Sequence, residues 1–137
     1  MRELVFRPLI SVVRVSPEQE IIEVTLDLEG WIADGTAVAT SGESPLWTAG
    51  RATCEAVSRM LPEGTEVSVE WLEYLPSSAQ RPDGVVLSVT RVHGEDEDDR
   101  LIGAAFVRSN VQVAAVRATL DGLTRRLALI VAARSPG

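Results

Sequence analysis

The chain carries nearly the same stretch twice. Ala49-Gly50-Arg51-Ala52-Thr53 and the run on to Leu61 return as Ala115-Val116-Arg117-Ala118-Thr119 and the run on to Leu127, at an offset of 66 (115 minus 49). Of the 13 aligned positions 6 are identical (Ala, Arg, Ala, Thr, Arg, Leu), and Glu55/Asp121, Val57/Leu123 and Ser58/Thr124 are conservative. A unit written twice must make the same supersecondary piece twice, and each piece must find a cover for its apolar face.

Spacing assigns the repeated stretch to a helix. Val113, Val116, Leu120, Leu123, Leu127 and Ile130 step by three and four, which places them on one face. Trp47, Gly50, Cys54, Val57 and Leu61 form the matching stripe of the first copy. On the outer side, Arg51, Glu55 and Arg59 are four apart, as are Arg117, Asp121 and Arg125, and such pairs are worth about 0.2–0.5 kcal/mol each.

Strands are expected ahead of each helix. Residues 4–15 are β-branched and apolar, with an interruption or edge at Pro8, and residues 16–19 read as a turn. Ile22, Val24, Leu26 and Leu28 alternate with Glu23, Thr25, Asp27 and Glu29, the pattern of a half-buried strand. Glu29-Gly30 reverses the chain and residues 31–40 return. After a polar loop, Ser44 caps the first helix with Pro45 at its first position, and Pro62-Glu63-Gly64 follows its end. The second pass has strands at 67–75, at 85 to about 93 and at 101–108. Pro76 to Gly84 form a loop, residues 94–99 an acidic turn, and Ser109 or Asn110 caps the last helix. Val85, Leu87 and Val89 alternate with Val86, Ser88 and Thr90, and 101–108 is apolar on both faces, as a central strand would be. The expected fold is therefore α+β, an internally duplicated β-β-β-α unit with two helices packed on antiparallel sheets. It is one domain, 1–137, of two repeats at about 3–63 and 65–133.

Charge narrows the partners. A formal charge of -7, with 13 Arg and no Lys, is unsuited to phosphate neutralisation, so no nucleic-acid partner is expected. No run reaches the ~20 apolar residues of a membrane helix, and no signal-peptide pattern follows Met1-Arg2-Glu3, so a cytoplasmic location without membrane association is expected. Cys54 stands alone, which excludes an internal disulfide.

The second unit resembles the C-terminal regulatory domain of 2-isopropylmalate synthase, the leucine-feedback domain. The likeness lies in Trp71 to Leu75, the loop 76–84, Val85 to Val92, Gly103, and the helix with Arg-Ala-Thr-Leu-Asp-Gly-Leu-Thr-Arg-Arg-Leu. That domain is also two β-β-β-α units, so the resemblance implies a free-standing, dimeric regulatory or small-ligand-binding module. Where the family carries Gly-Asn-Gly-Pro before its first helix, this chain has Gly42-Glu43-Ser44-Pro45, and Glu43 there would repel an amino acid's carboxylate.

Chemistry-bearing residues are few. His93 is the only histidine and has no second ligand for a zinc site. Cys54 lies on the inner stripe without an adjacent base. The run 95–99 lacks the glycine and glutamate of a calcium loop. No catalytic residue, metal or cofactor is expected. Gly42, Ser44, Ser109 and Asn110, before the two helices, are the expected ligand contacts, since helix N-terminal amides hold small carboxylates. Trp47, Leu129, Ile130 and Val131 are the expected dimer interface. Trp71, on a strand, fits either core packing or an apolar seam. A scaffold module that docks a protein partner and takes no small ligand is the alternative.

Overall fold

The computed structural model describes the backbone of residues 9–16, 21–28, 30–108 and 110–134, and the side chains of 21–28, 30–108 and 110–129. The element order is β1 (Leu9–Ser16), β2 (Ile21–Leu28), β3 (Trp31–Val38), α1 (Pro45–Ser58), β4 (Glu66–Leu75), β5 (Val85–Gly94), β6 (Glu97–Phe106) and α2 (Val111–Arg134). The fold is α+β, with β-β-β-α occurring twice and each strand triplet forming an antiparallel meander, β1-β2-β3 and β4-β5-β6. Pro8, Glu29 and most of the 16–19 turn lie outside the described residues, as do the chain ends.

The two halves agree in detail. In the first sheet Val24 pairs with Gly35, and in the second Ser88 pairs with Gly103. Gly35 faces Ala52 and Ala56 of α1, while Gly103 faces Ala118 and Gly122 of α2. Both helix pairs are 66 apart, the offset of the repeated stretch. The glycines are 68 apart, and the two-residue difference is the loop: 39–44 before α1 has six residues, 107–110 before α2 four. A Cβ on either glycine would overlap helix main-chain atoms, so each sheet lies on its helix at a distance only glycine permits. The edge strands match too. β1 has a register shift between Ile10 and Val12, β4 between Val69 and Trp71, and each shift lies against the equivalent point of the middle strand, Leu26/Thr25 in one and Thr90/Val89 in the other.

The core is shared between the halves. Ile22, Val24, Leu26 and Leu28 of β2 and Ala33 and Ala37 of β3 are buried with Ala49, Ala52, Ala56 and Val57 of α1, in one cluster with Val67, Leu72, Val86 and Val92 and with Val116, Leu120, Leu123 and Leu127 of α2. α1 packs on β2 and β3 and also on β4, and the two helices touch. Gly50 meets Leu72 and Val69, about 200° around α1 from Ala52, so this helix lies between its own sheet and the edge strand of the other.

Three expectations need correction. Strand β6 begins at Glu97, so the acidic turn is only Glu95 and Asp96. It is an edge strand, and β5 is the central one; its two apolar faces have another cause, given below. Arg51 does not pair with Glu55 but with Glu43, 2.7 Å away, whereas Arg59 does meet Glu55 at 2.9 Å. Asp121 reaches the edge strand instead, its Oδ2 accepting the Ala104 amide at 3.0 Å. A free donor on an exposed edge is thereby occupied.

Candidate functional site

The two turns ahead of the helices are filled by the chain's own side chains. Ser44 caps α1, its Oγ accepting from the Leu46 amide at 3.2 Å. Glu43 beside it accepts from Thr48 Oγ1 at 2.6 Å and from Arg51 Nε and Nη2 at 2.9 and 2.7 Å. The Arg51 guanidinium holds the Glu43 carboxyl below its ordinary value, against the opposing pull of burial. Arg51 also donates to the Val38 carbonyl at 2.7 Å, tying the turn to the end of β3. Gly42 is exposed with φ +81 and open space around it, so glycine serves the backbone there and not close approach. Asn110 caps α2, its Oδ1 accepting from Gln112 and Val113 at 2.7 and 3.2 Å; Ser109 lies outside the described residues. A small carboxylate at the first turn would have to displace Glu43.

The expected interface residues do not come together as one described patch. Trp47 is half-buried against the core and Leu129 is exposed, while the side chains of Ile130 and Val131 lie outside the described residues. Cys54 is buried, and burial pushes its thiol up to about 12, far from a thiolate nucleophile at neutral pH. His93 Nε2 stands 3.9 Å from Glu66 Oε2 at the open end of the second sheet. In the acidic run, Asp98 is held by Arg91 (2.7 and 3.1 Å) and Glu97 by Arg126. Among the described residues no group of three or more His, Cys, Asp or Glu could hold a metal ion, and no helix is long and apolar enough to cross a membrane.

A different surface stands out, the outer face of the second sheet. Past the β4 bulge, cross-strand register lines up Trp71–Val89–Ile102, then Glu73–Leu87–Ala104, then Leu75–Val85–Phe106. Eight of these nine positions are apolar. Ile102 is 75% exposed, Trp71 55% and Phe106 52%. Val85, Ala104, Ala105 and Phe106 line a shallow apolar recess of about 90 Å³. No model of a protein family matches this chain, and no curated protein is detectably similar to it in sequence.

The inner face of the same sheet carries two hydroxyl residues beside Val67, Leu72, Val86 and Val92. Ser88 and Thr90 are buried, with Ser88 Oγ 3.1 Å from Thr119 Oγ1 and Thr119 donating to the Ala115 carbonyl at 2.8 Å. Leu87 and Val89, the more apolar set of the β5 alternation, therefore face outward. The bulge at Glu70 turns Trp71 to the outer face while Val67, Val69 and Leu72 serve the inner one. The cue in the sequence was the apolar character of both faces of β6, which fits an exposed apolar face as well as it fits a central strand.

Proposed function

We propose that the chain is a non-catalytic association module, regulatory or scaffolding in role, whose working surface is the outer face of β4, β5 and β6. The observation that carries this reading is the block of Trp71, Leu87, Val89, Ile102, Ala104 and Phe106 on the outer face of a sheet that buries Ser88 and Thr90 on its inner one. Contiguous exposed apolar surface on a folded domain marks a place that another molecule covers. The buried, protonated Cys54 and the solvated His93–Glu66 pair support a role in binding over one in catalysis. The resemblance to a regulatory domain leads to the same class of role. The two β-β-β-α units are read as descendants of one copied half, of which the second took on the binding surface.

The test is loss of association through this face alone. Ile102→Arg should abolish every specific association of the chain, with itself or with another protein, and Thr36→Arg on the first sheet should abolish none. Associations that survive Ile102→Arg would refute the assignment. Thermal-shift measurements with branched amino acids and small carboxylates address the small-ligand form of the regulatory role, and a shift that vanishes with Glu43→Ala would move the working site to the turn before α1.

A further inference from the structure

The chain holds three Asp-Gly bonds, Asp34-Gly35, Asp83-Gly84 and Asp121-Gly122. At such a bond the glycine amide nitrogen can attack the aspartate side-chain carboxyl, because no Cβ on the second residue stands over the nitrogen. We infer that the fold locks two of these bonds against that reaction and leaves Asp83-Gly84 as a site of spontaneous isomerisation to isoaspartate.

The attack needs both groups at liberty, the amide and the carboxyl. At Asp34-Gly35 neither is. Arg51 reaches the Val38 carbonyl from beyond the edge of β3, so alternate residues back to Asp34 point their main-chain groups away from β2, and Gly35 gives its amide to the ladder with Val24. Oδ1 of Asp34 accepts from Thr25 Oγ1 at 2.8 Å. At Asp121-Gly122 the amide lies inside α2, bonded one turn back, and Oδ2 accepts the Ala104 amide at 3.0 Å. Asp83-Gly84 differs on both counts. It lies in the bend Arg81-Pro82-Asp83-Gly84 ahead of β5, and Asp83 is exposed. Among the described residues neither the Asp83 carboxyl nor the Gly84 amide has a hydrogen-bond partner.

The step balances with water alone. The Gly84 nitrogen bonds to Cγ of Asp83, the hydroxyl of the protonated carboxyl leaves with the amide proton as water, and a succinimide ring closes. Water then opens the ring. Opening at the Cγ carbonyl restores aspartate. Opening at the main-chain carbonyl gives isoaspartate, in which the chain runs through Cβ and Cγ and is longer by one atom. The longer chain meets resistance at Gly84, which is buried, with its carbonyl accepting the Val107 amide at 2.8 Å and the Tyr74 ring filling the place a Cβ would take. That hydrogen bond straps the 76–84 loop to the end of β6, beside Val85 and Phe106, and isomerisation releases it. The site does not depend on the outer face being the working surface; only an effect on association would rest on that reading.

The whole chain, held for weeks in neutral buffer at physiological temperature, provides the test. Isoaspartate, read by enzymatic methyl labelling from S-adenosylmethionine and located by peptide mapping, should accumulate at Asp83. It should form at least about tenfold more slowly at Asp34 and Asp121, where attack waits on local opening. Asp83→Glu, which would have to close a six-membered ring, should remove the label at that position with the far-ultraviolet circular dichroism unchanged. The Val107 amide should exchange its hydrogen faster in the aged chain than in the aged Asp83→Glu variant. No isoaspartate at Asp83, or equal rates at the three bonds, overturns the inference. Isoaspartate at Asp83 with Val107 still protected overturns the release of the strap.

Discussion

The two sheets share a strand order, a bulge position and a glycine seated on the helix, yet at the middle of the central strand they turn their apolar side chains in opposite directions. In the first sheet Val24 and Leu26 point inward, while Glu23, Thr25, Asp34 and Thr36 face out, with Thr25 donating to Asp34 at 2.8 Å. Among the described side chains of this sheet the exposed aliphatics, Ile32 and Val38, are kept apart along β3 by Asp34 and Thr36. At the equivalent points of the second sheet Ser88 and Thr90 point inward and Leu87, Val89, Ile102 and Ala104 face out. Since one backbone plan supports both arrangements, folding alone does not demand the apolar exterior. β2 and β3 show what a solvated face on this plan looks like, and the second sheet departs from it as the proposed working surface would.

The shared part of the comparison should respond identically in both halves. Gly35→Ala and Gly103→Ala each drive a Cβ into helix main chain, which cannot rotate away, and each should cost about 3 kcal/mol in urea unfolding. A large effect at one and none at the other would break the equivalence. A smaller and unequal effect is expected from the paired threonines. Thr119→Val strands the buried Ser88 hydroxyl and should cost about 1–2 kcal/mol, and adding Ser88→Val should recover most of it. Thr53 donates only to the Ala49 carbonyl, so Thr53→Val should be nearly neutral. A modest effect belongs to the turn before α1, which has no acidic counterpart in the second half, where position 109 is serine. Glu43→Gln should cost about 1 kcal/mol, since Arg51 is partly open to solvent. Because the folded Glu43 carboxyl sits below the free value of 4.5, this stabilisation is fully present above about pH 5 and is lost as pH falls through the folded value. Thermal unfolding of the two proteins should therefore converge in acid, and a constant gap would show that Glu43 acts otherwise.

Much of the plan was legible in the residues. Alternation from Ile22 to Leu28 identified β2 and its buried face, Ser44-Pro45 marked the start of α1, and the stripe from Val116 to Leu127 gave the inner side of α2. The polarity of the second sheet was not legible. Val85 and Val86 are equally apolar, so period-two patterning does not say which set faces the helix, and a one-residue bulge at Glu70 reverses the sense of every position after it in β4. The proposed working surface depends on that inversion. The Glu43–Arg51 latch was hidden for a related reason, because Arg51 has an acidic neighbour at helical spacing, Glu55, and the loop that brings Glu43 closer has no pattern of its own.

The first sheet supplies the substitutions that test the central claim most directly. Leu87→Glu, Val89→Thr, Ile102→Asp and Ala104→Thr together give the second sheet the outer residues of the first, Glu23, Thr25, Asp34 and Thr36. This fourfold variant should lose every specific association of the chain, with itself or with another protein, with cooperative unfolding intact, while the unaltered chain keeps them. A variant that still associates, or one that no longer folds, would contradict the claim that these side chains serve association and not the interior.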